Sequence, residues 1–220
     1  MTDAIFGVYG ASGYGREVMP LARAQLVLKG IAPSQLFFID DAPQADIVNG
    51  QRVVSYADFL GMGQGERQVV LAIANSSVRE KLAMRLDADG VGRWTVAAAN
   101  AISLDDVTLG EGAVLSPFVT LTSNIRIGRH FHANIYSYVA HDCIVGDFVT
   151  FAPGVKCNGN VRIEDHAYIG TGAVIKQGSP GKPLTIGKGA IVGMGAVVTR
   201  DVPAGMTVVG NPAKPFTSKQ

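Results

Sequence analysis

The sequence predicts two folds in series: a small α/β domain over residues 1–98 and a parallel β-helix of hexapeptide repeats over residues 99–220. Three observations point there. An inward-type apolar residue recurs every six positions from Leu109 to Ile175, a period that fits neither an α-helix nor a hairpin series. Before it, short apolar runs alternate with helical stretches, as in a parallel sheet. Glycine is abundant, 27 of 220 residues, well above the usual ~7%.

Ile5–Tyr9 reads as the first strand, ending in Gly10, with a helix from Gly15 towards Leu28. Leu36–Ile39 is a second strand, closed by Asp40 and Asp41. Val69–Ala74 is a third, followed by a helix from Ser76 to about Asp89 that carries Arg79, Lys81 and Arg85 among its polar positions. Trp94–Ala97 reads as the last strand of the domain. In the repeats, three hexapeptides make an 18-residue triangular coil, and coils stack at strand spacing, about 4.8 Å. Cys143 and Cys157 fall on inward positions and read as small core residues. Ile175 and Ile186 are eleven apart, which marks a five-residue insertion; the period resumes at Val192 and Val198.

Composition excludes several classes. The 19 basic and 18 acidic residues leave a charge of +1, which argues against a nucleic-acid binder. No apolar run approaches the ~18 residues of a membrane span. The start, MTDAIFGVYG, has neither the basic nor the apolar region of a signal peptide. Two cysteines make no disulfide scaffold, so a reducing cytoplasm is the expected compartment.

Two places carry candidate chemistry. The turn Gly10-Ala11-Ser12-Gly13-Tyr14-Gly15 lets backbone approach a phosphate at a helix N-terminus. Its GxxGxG spacing differs from the dinucleotide fingerprint, so a nucleotide diphosphate is expected rather than NAD. Asp40 or Asp41 stands where a carboxylate meets a ribose or base edge. A tight turn with close packing is the alternative use of these glycines. The second place is His141, a base suited to activating an amine or hydroxyl, with Asp142 beside it to accept from the ring. One coil further, position 159 is glycine, whose N–H would meet a developing oxyanion. A solvated surface histidine is the alternative. His130 and His166 are two coils apart and expected to stack in one column, as solvated surface residues. No third ligand accompanies them, so no metal is expected.

The segments GASGYGRE, FFIDD, AIANSSVREKL, HDC, GTGAVI, GMGAVV and VGNPAK together resemble bacterial sugar acyltransferases over nearly the whole chain. That group includes sialic acid O-acetyltransferases and N-acetyltransferases of nucleotide-linked 4-amino sugars. The resemblance implies a Rossmann-like domain followed by a left-handed β-helix, assembled as a homotrimer with acetyl-CoA between neighbouring subunits. It implies His141 as general base, Asp142 as its acidic neighbour and Gly159 as the oxyanion donor. Asn134 stands for the substrate end, and Ser12, Gly13, Tyr14, Asp40, Asp41 and Asn75 for the sugar nucleotide. Gly159, Gly172, Gly195 and Lys214 stand for coenzyme A. Tyr14 and Thr150 occupy positions that are His in relatives, and the Lys176–Leu184 insertion is absent from shorter members. The expected reaction is acetyl transfer from acetyl-CoA to the amine of a nucleotide-linked amino-deoxy sugar, for bacterial surface glycans. Three alternatives stay open: O-acetylation of a sialic acid or related sugar, a metal-dependent β-helix hydratase, and a non-catalytic scaffold.

Overall fold

The computed structural model describes residues 4–63 and 65–216. The chain divides into two compact units, one holding residues up to Ala99 with Glu111–Val114, the other Asn100–Gly110 and Leu115 onward. The excursion of residues 111–114 has a local cause. Arg93 Nε donates to Glu111 Oε1 at 2.8 Å, and Val96 N–H donates to the Ala113 carbonyl at 2.9 Å.

The first unit is built on β1 (Ile5–Tyr9), α1 (Gly13–Leu28), β2 (Leu36–Ile39), β3 (Ile47–Val48), β4 (Gln51–Val54), α2 (Tyr56–Gly61), β5 (Arg67–Leu71), α3 (Ser76–Ala88) and β6 (Gly92–Arg93). The sheet runs β3-β4-β2-β1-β5-β6, parallel except for β3. β1 lies central and is buried on both faces, which explains its unbroken apolar run. Val18, Met19, Ala22 and Leu26 line one side of α1 at helical spacing and pack on Phe6, Val8, Phe38 and Trp94. Helix α1 starts two residues earlier than expected, at Gly13. The expected strand Val69–Ala74 is shifted to Arg67–Leu71; of the expected last strand Trp94–Ala97 only Val96–Ala97 forms, outside this sheet, whose edge is instead β6 at Gly92–Arg93. Sequence reading missed β3, β4 and α2, because the polar stretch around Asn49-Gly50 hides a tight hairpin.

Arg79, expected among the polar positions of α3, differs from Lys81 and Arg85 in its setting. It is fully buried, and Nη1 donates to the carbonyls of Ile73 at 2.7 Å and Ala74 at 3.2 Å. Burial pulls its pKa down to about 10, yet it remains charged at neutral pH. Helical periodicity missed it because the side chain turns back to satisfy the strand-to-helix connection.

The second unit is a parallel β-helix of three faces. The first carries His132–Ala133, Thr150–Phe151, Tyr168–Ile169, Ile191–Val192 and Thr207–Val209. The second carries Ile102–Ser103, Thr120–Leu121, Tyr138–Val139, Lys156–Cys157, Val174–Ile175 and Val197–Val198. The third carries Val107–Leu109, Ile125–Ile127, Ile144–Val145, Val161–Ile163 and Leu184–Ile186. Pairing follows the 18-residue offset, as in Leu121 with Val139 and Val139 with Cys157. Across the insertion the offset becomes 23, Ile175 with Val198. Leu121, Val139, Phe151, Ile163, Ile175 and Val192 fill the axis and are buried.

Corners turn through left-handed backbone, and those residues stack in columns. Between the third and first faces, His130, Phe148 and His166 have φ of 54°, 59° and 61°. Their rings stack at 5.1 and 5.2 Å. The column is as expected; the solvated setting is not. His130 is fully buried and His166 half-buried, because each ring is covered by Phe148. Cys143 and Cys157 are free thiols in the core.

Candidate active site

His141 and Asp142 follow the second-face strand Tyr138–Val139, at the corner leading to the third face. His141 Nδ1 and Asp142 Oδ2 are 2.7 Å apart. That hydrogen bond holds the Asp142 carboxyl below its ordinary range, aided by Asn124 Nδ2 at 3.3 Å from Oδ1. An ionised carboxylate only accepts, so Nδ1 carries the proton and Nε2 of the neutral ring is the basic nitrogen. Asn124 was missed in the sequence although it lies 18 residues before Asp142. Asp106, Asn124, Asp142 and Asn160 form one column with φ between 53° and 58°, and Asn and Asp tolerate that backbone best.

Gly159 occupies the same corner one coil on. A Cβ there would lie 2.5 Å from Cε1 and 2.6 Å from Nε2 of His141. The imidazole therefore rests on the glycine, and any side chain would displace it. The neighbouring peptide is pinned, with Asn160 N–H on the His141 carbonyl at 2.9 Å. Among the described residues the Gly159 N–H is used by no coil hydrogen bond.

Asn134, Gly172 and Gly195 lie elsewhere, at the corner between the first and second faces. Asn134 Nδ2 donates to the Phe151 carbonyl at 3.0 Å. Gly172 and Gly195 continue a column that begins with the stacked rings of Phe118 and Tyr136, 4.9 Å apart, and runs through Gly154. Lys214 sits in the C-terminal segment, where Lys214–Pro215 pairs antiparallel with Thr207–Val209.

In the first unit, Gly10 has φ +111° and its N–H donates to the Ile39 carbonyl at 2.8 Å. A Cβ on Gly15 would collide with the Gly10 carbonyl, so this glycine serves helix–strand packing. Gly13 differs: a Cβ there meets nothing. Ser12 is the N-cap of α1 but its hydroxyl makes no capping bond, so the helix N-terminus stays open beside Gly13. Asp40 belongs to the same turn, with Oδ2 3.4 Å from Ala11 N and Oδ1 accepting from Ala42 N at 3.0 Å.

Three expected ligand residues are otherwise engaged. Tyr14 packs on the core of the first unit, and burial raises its hydroxyl pKa; it does not present that hydroxyl at the turn. Asp41 accepts from Tyr9 Oη at 2.7 Å, Tyr56 N at 3.0 Å and Arg85 Nη1 at 3.1 Å. Partial burial works against its charge, but these donors outweigh it and hold the carboxyl below its usual range. Asn75 caps α3, its Oδ1 accepting from Val78 N at 3.0 Å.

Comparison with known proteins fits this geometry. Residues 6–86 match the family model described as the PglD N-terminal domain. The chain is 51% identical over 210 residues to a GDP-perosamine N-acetyltransferase of Escherichia coli O157:H7, covering 96% of this chain and 95% of that one. The chain belongs to the bacterial sugar acyltransferase family. As a member it is an acetyl-CoA-dependent sugar N-acetyltransferase, and its coil is the left-handed β-helix of the family. WeeI from Acinetobacter baumannii AYE superposes with a TM-score of 0.94 at 62% identity, over 97% of this chain and all of that one. The acetyltransferase domain of PglB from Neisseria gonorrhoeae FA1090, solved in complex with acetyl coenzyme A, gives 0.87 at 29% identity, over 98% and 100%. Among the described residues no group of His, Cys, Asp and Glu is arranged to hold a metal ion, and no helix is long and apolar enough to cross a membrane.

Proposed function

We propose that the chain acetylates the amino group of a nucleotide-linked amino-deoxy sugar with acetyl-CoA, in the cytoplasm, for a bacterial surface glycan. The acceptor is a GDP-linked 4-amino sugar of the perosamine type, by analogy with the relative at 51% identity. The observation that carries the reading is the corner of His141, Asp142 and Gly159. Asp142 orients the ring, and His141 Nε2 takes the proton as the sugar amine attacks the thioester carbonyl. Gly159 N–H donates to the oxyanion that forms on that carbonyl. As the C–S bond breaks, the imidazolium gives its proton to the leaving sulfur, so one direct displacement yields the amide and the free thiol. In the first unit, Ser12, Gly13 and the N-terminus of α1 bind the diphosphate, and Asp40 the nucleoside.

Asn134, Gly172 and Gly195 lie on a different corner from His141, so one chain supplies the base to one site and the coenzyme-lining glycines to another. A homotrimer closes that arrangement, with a solution mass near three times 23.0 kDa. The test offers GDP-, UDP- and dTDP-linked 4-amino sugars with acetyl-CoA and follows thiol release. Turnover is expected with the GDP sugar. His141→Ala is expected to lose roughly 10²- to 10⁴-fold in kcat while keeping nucleotide-sugar affinity. A variant with more than half the wild-type kcat at neutral pH removes His141 from the chemistry.

A further inference from the structure

The α/β unit holds a second concave site, away from the Gly10–Gly15 turn. It is a cavity of about 470 Å³, walled by Arg23 of α1, by Leu36 and Phe37 at the start of β2, and by the β3–β4 hairpin from Asn49 to Arg52. Its volume falls in the range of small-molecule sites, about 300–1,000 Å³. Leu36 opens β2 and Gln51 opens β4, and these strands run parallel. The cavity therefore lies at the opposite end of the sheet from Gly10, which follows β1, and Asp40, which follows β2. Arg23 stands ten residues beyond Gly13 on α1, about 15 Å along the helix axis. One phosphate cannot touch both places.

The cationic groups of this cavity are held in place. Gln51 is buried, and its Nε2 donates to the Leu36 carbonyl. That bond orients the carboxamide, and Oε1 accepts from Arg23 Nη2 at 3.3 Å. The half-buried Arg23 guanidinium is thus anchored through one of its five N–H donors, and the others stay available. Arg52 is exposed, with its guanidinium 5.5 Å from the centroid of the Phe37 ring. Such stacking orders the group without consuming its N–H donors. The tight turn at Asn49 and Gly50, with φ of 49° and 74°, returns the chain to β2 and brings Arg52 over Phe37. Neither arginine has an ion-pair partner among the described residues. None of the residues that line the cavity is acidic.

Charge and donor geometry select the ligand. Two guanidinium forks with spare donors match a dianion that offers three oxygens. A carboxylate brings one charge and two oxygens, and leaves one fork unmatched. The volume leaves room for an organic body beside the charged head. We propose that this cavity binds a small phosphate monoester, with its phosphate between Arg23 and Arg52. Gln51 is the positioning residue that holds Arg23 for it. An occupant ties α1 to the β3–β4 hairpin, since one arginine comes from each. The site is separate from those of the sugar nucleotide and the acyl donor.

Amide NMR titration of the full chain with phenyl phosphate, inorganic phosphate and benzoate, each in the presence of saturating GDP and CoA, tests it. Phenyl phosphate is expected to shift the amides of residues 49–52 saturably, with a Kd of about 0.1–1 mM. Inorganic phosphate and benzoate are expected to bind roughly tenfold more weakly or worse. The Kd for phenyl phosphate is expected to rise about 10-fold in Arg52→Gln, whose side chain is exposed, and about 100-fold in Arg23→Gln/Arg52→Gln, as charge-assisted contacts are lost. Acetyl-transfer kcat/KM is expected to stay unchanged in both variants. Absence of saturable shifts at residues 49–52 overturns the proposal, and so does an unchanged Kd in the double variant. Benzoate binding as tightly makes the cavity a carboxylate site, and inorganic phosphate binding as tightly makes it a bare-anion site; either result overturns the assignment. Shifts that appear only without GDP and CoA return the ligand to the substrate sites and overturn it as well. A loss of kcat/KM equal to the loss of binding gives the two arginines to the fold instead.

Discussion

The two units place polar side chains by opposite means. In the α/β unit each engaged polar group has its own arrangement: buried Arg79 on the carbonyls of Ile73 and Ala74, buried Gln51 on the Leu36 carbonyl, and exposed Asp41 among Tyr9, Tyr56 and Arg85. In the coil, one arrangement recurs every 18 residues, so the neighbours of a corner residue follow from addition. His130, Phe148 and His166 share a column, as do Asn124 and Asp142. A coil residue depends chiefly on the coils above and below it, whereas a buried residue of the α/β unit ties several strands and helices at once. Damage in the coil should stay within two coils; damage in the α/β unit should spread through it.

The sharpest way to break this contrast is Gly159→Ala. The new Cβ meets the His141 ring and displaces the proposed base, so kcat should fall roughly 10²- to 10⁴-fold, the range for a lost general base. Thermal stability should hardly move, because the ring is exposed and swings outward. A variant that melts much earlier than wild type would show that coil damage propagates.

Arg79→Met tests the other half. It leaves two carbonyls at the β5–α3 connection without their cation, a loss of about 3 kcal/mol in unfolding free energy. Hydrogen exchange should accelerate across β1, β5 and α3 while the coil amides keep their protection. Equal acceleration in the coil would erase the distinction between the units.

The smallest effect is expected from Gly13→Val, where the new side chain meets no protein atom. Fold and CoA affinity should be retained, and sugar-nucleotide affinity should fall about tenfold through crowding at the phosphate. Unchanged affinity would leave the Gly10–Gly15 turn a packing device only.

The same contrast sets what was legible beforehand. The coil was readable to single residues, since Leu121, Val139, Phe151 and Ile175 occupy the axis as the period requires and position 159 sits on His141. Burial of His130 was not, because period assigns a residue to a corner without saying that Phe148 will cover it. In the α/β unit the main strands and helices were readable, but the fates of Arg79, Tyr14 and Asp41 were not. Those fates are set by where carbonyls and hydroxyls from distant segments converge, and no local spacing encodes that.

The insertion after Ile175 illustrates a rule of length. Because each rung must close three faces before it meets the next, this half of the chain grows only in whole rungs, and any remainder is expelled at a corner. Five surplus residues between Ile175 and Ile186 left every later strand in its place, with Val198 still over Ile175. Insertions are therefore tolerated at any length that a corner can expel, whereas deletions within a regular rung are tolerated only as whole rungs. Removing the surplus should restore an unbroken ladder, whereas removing one residue from any regular rung would turn the remaining strands inside out.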